Sequence, residues 1–100
     1  STPQALTAAG AVNITTPVTT VASSGAIALT LADGAVGQIK IICMITDGGT
    51  ATLTPATFQQ GTTLAFADVG DTVILMWVAT GWMVIGGYGT GSTGRGPVIA

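Results

Sequence analysis

Few residues in this chain could do chemistry. Its 100 residues hold four carboxylates (Asp33, Asp47, Asp68 and Asp71), two basic groups (Lys40 and Arg95) and one thiol (Cys43), with no Glu and no His. A Ser or Thr nucleophile needs a neighbouring base, and without His the one lysine candidate is Lys40. Asp47, Asp68 and Asp71 are hard oxygen ligands that could in principle meet around calcium. Asp beside Gly is also common turn chemistry, and Asp68 and Asp71 flank a turn. Acid and base work by paired carboxylates needs one raised pKa, whereas aspartates at turn tips are expected to be solvated. The expectation is no catalytic residue, no metal site and no cofactor, hence not an enzyme.

Three further patterns resemble sites. Gly89, Gly91 and Gly94 have the spacing of a dinucleotide fingerprint, but that motif needs a strand before it and a helix after it. Here Pro97 follows, and a flexible linker is the better reading. Trp77 and Trp82 bracket a turn and could stack sugar rings, yet large aromatics also fill cores and satisfy the indole N–H with a loop carbonyl. Asn13-Ile14-Thr15 matches a glycosylation acceptor, unaccompanied by a secretion signal. Ser1 is a plausible residue to remain after loss of an initiator Met.

Composition excludes other classes. Two basic residues cannot neutralise a run of phosphates, so nucleic-acid binding is not expected. The uncharged apolar runs at residues 41–45 and 73–79 fall short of the ~20 residues of a membrane helix, so no membrane partner is expected. Cys43, in the most apolar run, reads as a small buried hydrophobe, compatible with a reducing cytoplasm.

The elements that would carry these residues are strands. Thr, Ala, Val and Gly dominate in place of Leu, Glu, Lys and Arg, and alternation is the prevailing period. Residues 37–86 read as five strands, at 38–46, 50–54, 62–66, 72–79 and 82–85, separated by Asp47-Gly48-Gly49, Pro55, Asp68-Val69-Gly70-Asp71 and Thr80-Gly81. Asp47-Gly48-Gly49 and Thr80-Gly81 are hairpin signals. Before them, residues 11–15 and 18–22 read as weak strands and 26–31 alternates with Ile27, Leu29 and Leu31 on one face. The expected fold is all-β: a compact antiparallel β-sandwich, or a β-tulip or barrel-like single domain. The expected domain spans residues 11–86, with an extended N-terminal arm at 1–10 and a Gly-rich C-terminal arm at 87–100.

Only 6% of the residues are charged, against roughly 25% in ordinary soluble domains. Residues 38–46 and 72–79 are apolar on both faces. Ile42, Met44, Ile74, Met76, Val78 and Ile85 are expected to form a second apolar face. Burying six such side chains is worth on the order of 9 to 18 kcal/mol at ~1.5 to 3 kcal/mol each. That is comparable with the ~5 to 15 kcal/mol stability of a whole domain. A homo-oligomer that buries this face is therefore expected.

A resemblance sharpens this. Gly37-Gln38 before an apolar strand, Asp47-Gly48-Gly49, the corner Thr52-Leu53-Thr54-Pro55, Gly70-Asp71 before an apolar strand, and Gly81-Trp82 before Val84-Ile85-Gly86 form one series. In it the chain resembles small β-rich structural proteins and fibre-like domains of tailed bacteriophages. The resemblance covers about half the chain and its motifs are structural. It implies a virion component made in the host cytoplasm: a capsid decoration (cement) protein, usually a homotrimer, on the outer surface of the capsid and in contact with the major capsid protein. The alternative is a fibre or spike domain that binds a receptor or glycan through Trp77 or Trp82. One compact domain favours decoration over a fibre, with a terminal arm gripping the capsid by strand addition.

Overall fold

The computed structural model describes residues 2–88 and 97–100. The described residues form ten strands: β1 (Gln4–Leu6), β2 (Gly10–Val12), β3 (Val18–Ser23), β4 (Ile27–Leu31), β5 (Ile39–Asp47), β6 (Ala51–Pro55), β7 (Leu64–Phe66), β8 (Thr72–Trp77), β9 (Trp82–Tyr88) and β10 (Val98–Ile99). Sheet A has the order β1-β3-β5-β8-β9 and sheet B the order β10-β7-β6-β4-β2. The fold is all-β, as expected, with two sheets around one core.

Strand direction departs from expectation. The first six strands alternate between the sheets, so that β1, β3 and β5 are parallel neighbours in sheet A and β2, β4 and β6 in sheet B. This part of the chain winds as a flattened coil. Antiparallel pairing enters only later, where β8 joins β5, β9 joins β8, β7 joins β6 and β10 joins β7. Both sheets are therefore mixed rather than antiparallel, and each keeps two edge strands, so no barrel closes.

The turn at Asp47-Gly48-Gly49 explains the difference. A tight hairpin of the favoured type needs positive φ at its central residues, and neither Gly48 nor Gly49 has it. These glycines serve close packing instead. A Cβ on Gly48 would lie 2.5 Å from the Ser23 carbonyl oxygen, and one on Gly49 would lie 2.4 Å from the Gly25 carbonyl carbon. The corner between β5 and β6 thus stacks backbone on backbone over the corner between β3 and β4, held by Gly48 N–H to Ser23 O (2.8 Å) and Ser23 Oγ–H to Gly49 O (2.6 Å). By contrast, the turn before Gly81 is a true hairpin: Trp77 pairs with Trp82, and Val78 N–H donates to Gly81 O at 3.0 Å.

Part of the expected N-terminal arm belongs to the fold. Residues 4–6 pair with β3 as β1, and β2 begins at Gly10. Gln4 also reaches across to β2, its Nε2 donating to Ala11 O (3.0 Å) while its Oε1 accepts from Asn13 N–H (2.9 Å) and Thr19 Oγ–H (2.8 Å). At the other end, β10 pairs with β7, and Ala100 O accepts from the Thr62 and Thr63 amides. Residues 89–96, which hold the Gly89, Gly91, Gly94 pattern and most of the expected C-terminal arm, lie outside the described residues.

The core follows the alternation. Val21, Ile42, Met44, Val73, Leu75, Trp77 and Trp82 come from sheet A, facing Val12, Leu29, Leu31, Ala51, Leu53, Leu64 and Phe66 from sheet B. Trp77 and Trp82 meet edge to face with ring centroids 5.6 Å apart. Trp82 Nε1–H donates to Ala32 O at 2.9 Å, so both rings belong to the core and the indole is satisfied by a loop carbonyl.

Candidate interaction face

Lys40 decides which way β5 faces. Its side chain points inward with Ile42 and Met44 and is 0% exposed. A buried ammonium is costly unless its protons find acceptors. The loop between β2 and β3 supplies three: Thr16 O at 2.7 Å, Asn13 Oδ1 at 3.2 Å and Thr16 Oγ1 at 3.3 Å. Asn13 Oδ1 is itself fixed by the Thr16 amide and hydroxyl. Among the described residues no carboxylate hydrogen-bonds Lys40, and burial lowers its pKa to about 8.

With Lys40 inside, the other alternate residues of β5 turn outward, and sheet A presents an apolar outer surface. Registers arrange it in rows. Val18 lies beside Ile41, Ile41 beside Ile74, and Ile74 beside Gly86. Ile39 lies beside Met76, and Met76 beside Met83. Ala5, Thr20, Cys43, Thr72 and Tyr88 lie at successive register positions of a third row. Two irregularities add knobs: Ile45, at the register shift between β3 and β5, is 53% exposed, and Ile85, at the shift between β8 and β9, is 51% exposed. Cys43 is half-buried in the third row, and burial raises its thiol pKa.

The expected interface set is therefore corrected. Ile42 and Met44 are core residues, 0% and 1% exposed, and take no part in an outer surface. Ile74, Met76 and Val78 are half-buried and Ile85 is exposed, the first two on the outer face of β8. Sequence reasoning placed Ile42 and Met44 outside because they share a face with a lysine; the missed outward residues of β5 are Ile39, Ile41, Cys43 and Ile45. The signal that could have found them is Asn13-x-x-Thr16, a short oxygen-rich loop able to enclose an amine.

The carboxylates serve turns. Asp47 Oδ1 accepts from Gly49 N–H at 3.1 Å, and Asp33 Oδ1 from Thr57 Oγ–H at 3.0 Å. Asp71, expected to be solvated, is 3% exposed: its Oδ2 accepts from the Ala67 and Asp68 amides at 3.0 and 3.3 Å. Its Oδ1 is buried with no hydrogen-bond partner among the described residues. Among those residues, no three His, Cys, Asp or Glu side chains come together as metal ligands would.

An all-β, two-sheet protein with an uncharged apolar outer face is what the geometry defines. No family model matches the chain, and neither a curated protein nor a solved structure matches it significantly.

Proposed function

We propose that this chain is a virion structural protein, a capsid decoration (cement) protein of a tailed bacteriophage. It would sit on the outer surface of the head as a homotrimer and bridge subunits of the major capsid protein. The observation that carries the reading is the outer face of sheet A, whose rows hold Ile39, Ile41, Ile74, Met76 and Met83 and no charged side chain. A surface of this kind needs a protein neighbour. The resemblance of residues 37–86 to small phage structural proteins supplies the class of neighbour. Several weak contacts made by one oligomer at once resist expansion of the shell better than any single contact, because each later contact forms intramolecularly.

The fibre or spike alternative relied on Trp77 or Trp82 as a stacking platform. Trp77 is 8% exposed and Trp82 is 0% exposed, so neither offers a ring face to a sugar. The decoration reading is tested by mixing purified protein with capsids that lack it and imaging the particles. Saturable density at fixed lattice positions is expected; failure to bind expanded capsids overturns the proposal.

A further inference from the structure

We infer that Lys40 and Asn13 join covalently: the Lys40 amine displaces ammonia from the Asn13 carboxamide and leaves an amide bridge between β5 and the loop that joins β2 to β3. The chain's one lysine and its one asparagine, 27 residues apart in sequence, meet inside the protein with Nζ 3.2 Å from Oδ1. Lys40 is fully buried, and among the described residues no carboxylate hydrogen-bonds it. An amine so enclosed reaches no outside electrophile. Of the three oxygens around it, Asn13 Oδ1 alone belongs to a side-chain acyl group.

Solvating an ammonium needs only acceptors, but the Asn13 carbonyl is also activated. Its Oδ1 accepts from Thr16 N–H at 3.2 Å and from Thr16 Oγ–H at 2.8 Å. These donors stand where negative charge gathers on Oδ1 during attack at Cγ, the arrangement that stabilises a tetrahedral acyl intermediate. Burial lowers the Lys40 pKa to about 8, so neutral amine is present near neutral pH. Holding amine and acyl group in one site makes their reaction unimolecular, an advantage equivalent to up to ~10⁵–10⁸ M of free reactant. Exchanging a buried ammonium for a neutral amide also removes a desolvation cost.

In the first step Nζ bonds to Cγ, while Thr16 Oγ1, 3.3 Å from Nζ, takes a proton from the nitrogen and gives its own to Oδ1. In the second the Cγ–Nδ2 bond breaks, the carbonyl re-forms, and the Oδ1 proton leaves on the departing nitrogen as ammonia. No co-reactant is consumed. The product closes residues 13–40 into a ring that contains β3 and β4. The reaction follows folding, which alone brings the pair together, so Lys40 titrates only in chains that have not yet reacted.

Intact-mass spectrometry on the folded full chain, incubated at mildly alkaline pH, should find a mass that stands at, or falls to, one ammonia below that of the sequence. Asn13→Ala and Lys40→Met should keep their sequence masses. Trypsin, added after unfolding, should cut Asn13→Ala after Lys40 but not the reacted wild type, and fragmentation should place the bond between residues 13 and 40. Thr16→Val, shown to be folded by circular dichroism, should react ~10²-fold more slowly, with Thr16→Ser near the wild-type rate. A folded wild-type chain that keeps its sequence mass overturns the inference. So does one that loses ammonia yet is still cut after Lys40, because Asn13 has then cyclised on its own backbone.

Discussion

In sheet B the outward residues of β4 and β6 are Ala28, Thr30, Thr52 and Thr54; in sheet A those of β5 and β8 include Ile39, Ile41, Cys43, Ile74 and Met76. Both sheets send apolar residues into the shared core, and sheet A adds the buried Thr19, Ser23 and Lys40. Alternation thus accounts for most of the inside of this protein, and the Asn13 and Thr16 oxygens around Lys40 for the exception. The outside separates the sheets: small and hydroxylated residues suffice where water is the neighbour, and branched or thioether side chains stand where a second protein surface is proposed. A sheet whose two faces are both greasy reads in sequence as a continuous apolar run, which is why residues 38–46 and 72–79 stood out.

That contrast can be broken most severely at the corners joining the two sheets. Gly49→Val should cost about 3 kcal/mol or more, since the added atoms meet the Gly25 and Ala26 backbone, which cannot yield as a side chain could. The expected readout is loss of the cooperative unfolding transition at 37 °C. Next comes the difference between neighbours on β5. Ile42→Ala should lower stability by about 2 to 5 kcal/mol in urea titrations. Ile41→Ala, measured at concentrations where the chain is monomeric, should cost about 1 kcal/mol or less.

The buried lysine makes a pH test. Lys40 binds its proton more weakly folded, with a pKa of about 8, than unfolded at 10.5. Between those values the unfolded chain holds more protons, so stability should rise with pH from about 8 and level off above 10.5. Cys43, whose pKa is raised in the fold, contributes the opposite slope. The measurement therefore belongs in a Cys43→Ala background, with urea midpoints taken across the range. A flat profile there would mean that Lys40 is not held in the dry interior. The smallest effect concerns the hairpin on sheet A. Ala79 has φ of 79°, a left-handed conformation that costs a residue with a Cβ about 1 kcal/mol. Ala79→Gly should relieve that strain and, after the added freedom of the unfolded chain is subtracted, raise stability by about 0.5 kcal/mol.

Legibility in sequence followed the range of the interactions. The five strands in residues 37–86 and the hairpin before Gly81 rest on local alternation and turn chemistry, and the structure has them as β5 to β9. The turn at Asp47-Gly48-Gly49 was misread because its glycines answer to a corner two dozen residues earlier, a contact no local pattern reveals. Residues 4–6 were misread as a free arm for the same reason: β1 has little periodicity of its own and is fixed by pairing with β3. The face of β5 was reversed by one residue. A lysine ordinarily marks the wet side of a strand, and only the three oxygens of Asn13 and Thr16 make its burial tolerable.

The Gln4 side chain has a further consequence. Ala11 C=O and Asn13 N–H lie two residues apart and point to one side of β2, and the Gln4 carboxamide engages both as the peptide group of an adjoining strand would. A winding coil of parallel strands otherwise ends in exposed backbone that invites another molecule to continue it, turn upon turn, into a fibril. One amide from within the same chain occupies that stretch of the β2 edge, where the peptide group of an added strand would otherwise pair.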